Sequence, residues 1–220
     1  MHDESAAWNA EAHEWVDRIR EGMGGRVHAH DASLYGLLPP PSGVTLDVGC
    51  GEGRISRELR ARGYDVHGFD ASETLVGEAR RADPDGRYDV ARIDALPVDD
   101  GAARLVVCVN VLPHLHDLES AARELARVLG PGGSLLIGTI HPVAQAGTFD
   151  EEAGELRLRG YFTHEAHAVP LGEHHVFHQH RTIEDYVRTL LAVGLTLTDL
   201  REVAGPSGEV PLYLDLLLTR

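Results

Sequence analysis

The stretch LDVGCGEGR, residues 46–54, places three glycines within five positions directly behind a short apolar run. The apolar pattern of VTLDV, residues 44–48, predicts a buried strand, and the segment after Gly53 has helical spacing. Gly49, Gly51 and Gly53 fit a tight turn whose backbone has positive φ and approaches a ligand closely. Since a strand, a glycine turn and a helix point N-terminal amides at an anion, this stretch predicts a ligand-binding loop.

Strands and helices alternate along the chain beyond this loop. Apolar runs separated by helical patterns are typical of a parallel sheet with helices on both faces. The chain then closes with one helix and two further strands, so we predict an α/β fold with a doubly wound, Rossmann-like sheet. The later strands are predicted in DVHGFD (65–70), RYDVARID (87–94), ARLVVCVN (103–110), SLLIGTI (134–140), LTLTDLREV (195–203) and PLYLDLLLT (211–219).

The composition excludes several classes of protein. A chain of 220 residues is most simply one domain. Its two cysteines are too few for a disulfide framework or a four-thiolate zinc site. All 20 basic residues are arginine, which excludes the phosphate lysine of P-loop proteins and the Schiff-base lysine of pyridoxal enzymes. The formal net charge of −15 weighs against nucleic acid as a partner, because like charges repel.

Neither a secretory signal nor a membrane span is predicted. The first residues carry acids without an apolar core, and no apolar run is long enough to cross a bilayer. We therefore expect a cytoplasmic protein without a membrane partner. The sequence leaves its oligomeric state open.

A carboxylate one strand away from the loop narrows the choice of ligand. Asp70, about 20 residues beyond the glycines, can accept hydrogen bonds from both hydroxyls of a ribose. This fits NAD and S-adenosylmethionine equally, but Arg54 holds the position where a dinucleotide fingerprint requires a third glycine or alanine. Asp47 would repel a pyrophosphate and attract a sulfonium or ammonium group. The loop thus favours a cationic cofactor, with an NAD(P)-binding Rossmann oxidoreductase as the alternative.

The chain resembles the class I S-adenosylmethionine-dependent methyltransferases, of the small bacterial kind that acts on low-molecular-weight substrates. Three stretches carry the resemblance: residues 46–80, which are similar to the family's first two motifs, IDALPV (93–98), and residues 109–142 with the turn LGPGG. The resemblance implies a seven-stranded sheet whose last strand is antiparallel. It also implies S-adenosylmethionine as cofactor, S-adenosylhomocysteine as product, and a small-molecule methyl acceptor.

The resemblance also implies roles for residues around the methionine end of the cofactor. Gly49, Cys50 and Gly51 would line that end, and Asp47 would contact its amino group. Asn110, at the end of the fourth strand, would offer its carbonyl group nearby.

A second group of residues would hold the nucleoside. Asp70 would bind the ribose diol, and Ala71 would lie against the adenine. Asp94 would accept from the exocyclic amine, and the Ala95 amide would donate to a ring nitrogen.

The resemblance further suggests one methyltransferase domain, 1–220, in four parts. In such proteins the chain before the first strand and the insertion after the fifth shape the acceptor site, so Trp8, Trp15, His30 and Tyr35 are predicted pocket walls. The parts are a helical cap or lid (1–42), a cofactor-binding core (43–140), a polar substrate-covering insertion (141–181) and a closing helix with a strand pair (182–220).

Histidines are the candidates for proton removal from an acceptor, because a neutral imidazole is a suitable base. His141 follows the fifth predicted strand, and His178 and His180 lie in EHHVFHQH (173–180), so these three are the candidate bases. Each of these histidines could instead have a purely structural role. A second alternative concerns the whole protein, which could bind the cofactor without transferring its methyl group. His174 could join His178 and His180 at a metal, but no HExxH or cysteine-pair spacing supports this, and we predict no metal site.

Overall fold

The computed structural model describes residues 4–21, 26–150, 155–171, 174–205, 208 and 210–220. Their strands fall into one large sheet and two small hairpins. The strands are β1 Val44–Val48, β2 Asp65–Asp70, β3 Arg87–Val90, β4 Ala103–Val109, β5 Leu129–Ile140, β6 Gly147–Asp150, β7 Glu155–Leu158, β8 Ala166–Leu171, β9 His174–Gln179, β10 Thr196–Ala204 and β11 Pro211–Thr219.

The large sheet has seven strands in the order β3-β2-β1-β4-β5-β11-β10. Strands β1 to β5 pair in parallel, whereas β11 lies antiparallel between β5 and β10. This confirms the predicted doubly wound sheet with an antiparallel last strand. The order reverses between β1 and β4, and a ligand crevice is expected at the carboxyl ends of those two strands.

The helices cover both faces of this sheet. They are α1 Glu4–Arg20, α2 Arg26–Tyr35, α3 Arg54–Ala61, α4 Glu73–Ala82, α5 Leu118–Val128, α6 Pro142–Ala146 and α7 Ile183–Ala192, with a 3-10 turn at Leu112–His114. In the described part of the chain, every helix is too short or too polar to pass through a lipid bilayer.

Alternating side chains of the central strands build two cores. Val106 of β4 packs with Leu125 of α5 and Leu190 of α7 on one face of the sheet. Leu105 of the same strand packs on the other face with Leu59 of α3, in a cluster that also contains residues of α2. Since successive strand residues point to opposite faces, one apolar run serves both cores.

The segment 141–181 contains more regular structure than its polar composition predicts. It forms α6 and two antiparallel hairpins, β6 with β7 and β8 with β9. The hairpins lie outside the large sheet, and side chains such as Phe177 are exposed. Because these strands are not buried on both faces, their sequences lack the continuous apolar run that predicts a strand of a parallel sheet. The glycines at 22, 24 and 25, which we expect to end the first helix, lie outside the described residues.

The start of α7 gives a test of local stability. Thr182 Oγ1 accepts from the Asp185 amide, and the Asp185 carboxylate accepts from the Thr182 amide, which completes a capping box. Replacing Thr182 with alanine should lower the free energy of unfolding by about 1 kcal/mol, measured by urea denaturation. Thr182→Ser keeps the hydroxyl and should stay close to the native protein; equal losses in both variants would contradict the capping role.

Candidate active site

One pocket opens at the carboxyl edge of the sheet, where the strand order reverses. It encloses about 730 Å³ between protein atoms, part of it open to solvent. Its walls come from the glycine loop behind β1, from residues 70–72 behind β2, from residues 109–111 at the end of β4, and from α1.

The glycine loop needs its glycines for conformation and for space. Gly49, Gly51 and Gly53 have φ of 78°, 54° and 84°, which confirms the predicted positive φ. A Cβ on Gly49 would overlap with Cγ2 of Val111, whereas the nearest atom to a Cβ on Gly51 would be Nε1 of Trp15, at 3.9 Å. Gly51 therefore presents bare backbone to the pocket. At position 49 the side chain of Val111 leaves no room for a Cβ, so only glycine fits there.

Asp70 joins the loop to the end of β2. Its Oδ2 accepts from the Gly51 amide at 2.9 Å, and its Oδ1 accepts from the Ser72 amide at 2.8 Å. Burial raises the pKa of Asp70, and these amide hydrogen bonds oppose the rise. Each carboxylate oxygen can accept a second hydrogen bond. Asp70 can therefore hold the loop and still receive a ligand hydroxyl in the pocket that it lines.

Asp47 lies outside the lining of the pocket. The residue is 1% exposed, and its Oδ2 accepts from Ser56 Oγ at 2.6 Å. Burial raises the pKa of Asp47 to about 6, and the Ser56 hydrogen bond opposes the rise. The carboxylate thus ties β1 to α3 behind the loop.

Cys50 and Gly53 face away from the pocket as well. Cys50 packs with Val76, Ala79 and Tyr88. A Cβ on Gly53 would lie 3.0 Å from the Tyr88 ring, so glycine lets the start of α3 approach β3 closely. Both residues therefore serve the packing of α3 and α4 against the sheet, and neither lines the pocket.

The loop after β3 presents different residues to the pocket from those expected. Asp94 forms a bidentate ion pair with Arg92, which lowers the pKa of Asp94, and the Ala95 amide donates to the Arg92 carbonyl at 3.1 Å. Ala91 and Ile93 line the pocket instead of Asp94 and Ala95. The alternation of the extended chain could have indicated this pair, because 91 and 93 point to the same side.

Asn110 ends β4 in an unusual conformation. Its φ is 57°, and its amide donates to the Gly138 carbonyl at 2.7 Å. Asn110 Oδ1 is buried without a hydrogen-bond partner among the described residues, and Asn110 lines the pocket. An unpartnered buried acceptor at a pocket wall indicates that a ligand donor completes it.

Helix α1 closes the pocket with two tryptophans. The rings of Trp8 and Trp15 meet edge to face at 5.4 Å between centroids, and both line the pocket. Asn9 Oδ1 accepts from Ser72 Oγ at 2.7 Å and from the Thr74 amide at 3.2 Å. This pair of hydrogen bonds docks α1 onto the first turn of α4.

His30 and Tyr35 do not line the pocket, so their prediction as pocket walls is wrong. His30 Nε2 lies 2.7 Å from Oδ1 of Asp215, with both side chains buried. The guanidinium of Arg62 lies 4.5 Å from the centroid of the Tyr35 ring. Helix α2 packs on a face of the sheet rather than at its carboxyl edge, which removes both side chains from the pocket.

Two of the three expected bases have structural roles instead. His141 Nδ1 accepts from the Val143 amide at 3.1 Å, and its Nε2 lies 2.9 Å from Oε1 of Glu202. His180 is buried, and its Nε2 donates to the Tyr161 carbonyl at 2.8 Å. Neither ring lines the pocket, so the structure argues against both as bases.

His114 is the imidazole in the pocket wall. Its ring centroid lies 4.8 Å from Trp8 and 4.6 Å from His178, edge to face in both cases. The third expected base, His178, is thus a neighbour of the wall. Burial and then the His178 charge lower the pKa of His114 to about 3. The sequence places His114 and His116 after the fourth predicted strand without choosing between them, and the 3-10 turn decides that His114 lines the pocket.

The described residues contain no group of three or more histidine, cysteine, aspartate or glutamate side chains placed to hold a metal ion. The side chain of His174 lies outside the described part of the chain.

Comparisons with known proteins relate this fold and this pocket to methyltransferases. Residues 46–137 match a family model described as a methyltransferase domain. The chain is 35% identical over 113 residues to malonyl-[acyl-carrier protein] O-methyltransferase of Salmonella typhimurium, and 30% identical over 149 residues to ubiquinone biosynthesis O-methyltransferase of Pseudomonas aeruginosa. These alignments cover 51% and 64% of this chain, but only 45% and 63% of the relatives.

A solved structure shares the fold over nearly its whole length. The S-adenosylmethionine-dependent methyltransferase of Mesorhizobium loti superposes with a TM-score of 0.77 at 24% identity. The match covers 87% of this chain and 98% of that one.

The buried Asp47 carboxylate predicts a pH dependence of stability. Its folded pKa of about 6 exceeds the unfolded value, so the stability it contributes is present below about pH 4 and is lost as the pH rises through 6. Asp47→Asn keeps an acceptor for Ser56 and lacks this loss. Relative to the native protein, the variant should gain about 3 kcal/mol of unfolding free energy between pH 4 and 7.5, measured by urea denaturation.

Asp65→Asn, at the exposed opposite end of β2, serves as the control and should show no such gain. A difference between Asp47→Asn and the native protein that does not change with pH would contradict the burial of an ionisable carboxyl here.

Proposed function

We propose that this chain is a class I S-adenosylmethionine-dependent methyltransferase and that it transfers a methyl group to an oxygen or nitrogen atom of a small molecule. One observation carries the proposal. A positive-φ glycine loop, the Asp70 carboxylate and Asn110 Oδ1, which has no partner among the described residues, lie at one pocket at the carboxyl edge of the sheet.

S-adenosylmethionine is the cofactor, and the residues of the pocket fit it. Asp70 would accept hydrogen bonds from the ribose hydroxyls. The bare backbone of Gly51 would approach the methionine end, and Asn110 Oδ1 would accept from the ammonium group. The apolar side chains of Ala91 and Ile93 would contact the adenine.

Contacts of Asp47, Asp94 and Ala95 with the cofactor remain predictions. Asp47 lies behind the loop and can act there through its charge. Asp94 and Ala95 would first have to exchange their hydrogen bonds with Arg92 for contacts with the adenine.

When bound, the cofactor supplies a methyl carbon activated by a positively charged sulfur. The protein has to hold the acceptor in line with that carbon and exclude water. The rings of Trp8 and Trp15 support this role, because both line the pocket. The Asp70 carboxylate adds a negative potential that favours a cation.

We propose that the methyl acceptor is a small molecule, for instance a specialised metabolite. S-adenosylhomocysteine would be the product released from the cofactor. The names of both curated relatives describe O-methyltransferases, which favours oxygen as the acceptor atom. The helical cap and the insertion 141–181 would shape the acceptor side of the pocket. The expected cytoplasmic location and the absence of a nucleic-acid partner stay predictions.

Calorimetric titration with S-adenosylhomocysteine tests the cofactor site. Asp70→Ala should weaken binding by about 3 kcal/mol, a factor of at least about 100, because two hydrogen bonds to a charged group are lost. Asp65→Ala changes the exposed opposite end of the same strand and should bind like the native protein. Unchanged affinity in Asp70→Ala would show that the ribose lies elsewhere.

The same titration separates the alternatives. The NAD(P) oxidoreductase predicts binding of NAD⁺ or NADP⁺ and none of S-adenosylhomocysteine. Arg54 speaks against it, because it occupies the third glycine position of the fingerprint and is held by both carboxylate oxygens of Asp31. A non-methylating member would bind S-adenosylmethionine and release no S-adenosylhomocysteine with any acceptor.

A further inference from the structure

The charge of the pocket restricts which acceptors it can hold. Among the described residues that line it, Asp70 is the charged side chain and none is an arginine. The nearby guanidinium of Arg54 is bound by Asp31. That of Arg181 donates to the carbonyls of Leu112, Leu115 and His116. The described residues of the lining therefore offer no counter-charge to an acceptor that carries a carboxylate or phosphate.

One wall of the pocket carries a defined proton acceptor. His114 Nδ1 lies 3.2 Å from the carbonyl oxygen of Phe177 on β9. A carbonyl oxygen only accepts hydrogen bonds, so Nδ1 must carry the ring proton and Nε2 is left with a lone pair. The surrounding rings of Trp8 and His178 offer no charge that would favour imidazolium. Burial keeps the pKa of His114 low, which leaves this tautomer neutral.

We propose that His114 Nε2 accepts the hydrogen bond of the methyl acceptor, and that the acceptor is an uncharged hydroxyl compound, a phenol or an alcohol with an apolar skeleton. This inference rests on the proposed function. It narrows the acceptor from oxygen or nitrogen of any small molecule to one chemical class, and it assigns the residue that contacts it.

The chemistry explains why a hydroxyl needs this residue. A bond forms between the acceptor oxygen and the methyl carbon while the carbon–sulfur bond breaks, and its electron pair stays on sulfur. Once the oxygen bonds the methyl carbon, its proton becomes far more acidic than an imidazolium, so the proton passes to Nε2 of His114 despite the low pKa of that ring, and then to water. Positive charge thereby moves from sulfur to the imidazole, and the total charge of the apolar pocket does not change.

Other acceptors have no comparable use for Nε2. An ammonium group carries no lone pair and would add a second cation beside the sulfonium. A carboxylate has no proton to give. A neutral amine attacks through its own lone pair and can lose its proton to water afterwards.

The hairpin of β8 and β9 positions this base. Through the Phe177 carbonyl it fixes the tautomer of His114, while the Phe177 ring itself is 62% exposed. His167 and His178 are opposite partners across the hairpin. A histidine-bearing insertion thus reaches the pocket through a backbone carbonyl and the His178 ring.

The tautomer is tested first, without turnover. In ¹⁵N spectra of the imidazoles, the resonances that disappear in His114→Asn belong to His114. They should show a protonated Nδ1 and a bare Nε2, and phenol added with S-adenosylhomocysteine should shift Nε2 whereas benzoate should not. A protonated Nε2, the absence of a shift with phenol, or an equal shift with benzoate would overturn the proposal.

Turnover supplies the second test, with substituted phenols, benzylamines and benzoates compared on the same ring skeletons. S-adenosylhomocysteine release should be confined to the phenols. In His114→Asn, whose amide can still donate to Phe177, kcat should fall at least about 100-fold while calorimetric S-adenosylhomocysteine affinity is unchanged. His175→Asn, an exposed residue of β9, is the matched control and should keep the native rate.

The outcomes separate two failures. A native protein that does not bind S-adenosylmethionine contradicts the proposed function. A protein that binds it but methylates no phenol, prefers benzylamine or benzoate, or keeps its rate in His114→Asn contradicts only the assignment of acceptor and base.

Discussion

The carboxylate of Asp70 holds together the parts from which the pocket is built. By accepting from the amides of Gly51 and Ser72, it fixes the glycine loop behind β1 and the first turn of α4 at one point. The Phe69 carbonyl strengthens this junction, because it accepts from the Gly49 and Cys50 amides at 2.7 and 3.0 Å. Two crossover connections therefore meet in a fixed geometry before any ligand arrives, and the ordering cost of binding is correspondingly small.

The N-terminal helices attach to this frame through polar contacts as well as through apolar packing. Asn9 binds α1 to the start of α4, and the pair of Asp31 with Arg54 binds α2 to the start of α3. Such contacts contribute modest free energies and are strongly directional. The Asn9 contacts place Trp8 and Trp15 in the wall of the pocket, and Ala12 and Val16 of the same helix pack against Leu75 of α4.

The histidines show how position in the fold assigns different roles to one residue type. His141 caps a short helix, His180 binds a backbone carbonyl, and His114 forms a wall of the pocket. His114 and His141 follow the carboxyl ends of β4 and β5, and His180 lies near the end of the insertion 141–181. What separates them is where each ring lies and what it binds. Both ring nitrogens of His141 take part in structural hydrogen bonds, His180 lies outside the lining of the pocket, and His114 is part of that lining.

The sequence by itself determined the doubly wound sheet, the glycine loop with its positive φ, and the placement of Asp70 at the end of β2. These features depend on local signals: apolar alternation, caps such as Thr182 with Asp185, and glycine where φ is positive. Only the tertiary structure decided that Asp47 lies behind the loop, that Ala91 and Ile93 line the pocket, that His30 pairs with Asp215, and that His114 faces inward. These outcomes depend on which surfaces meet after chain segments far apart in sequence pack together, and a one-dimensional pattern does not contain that information.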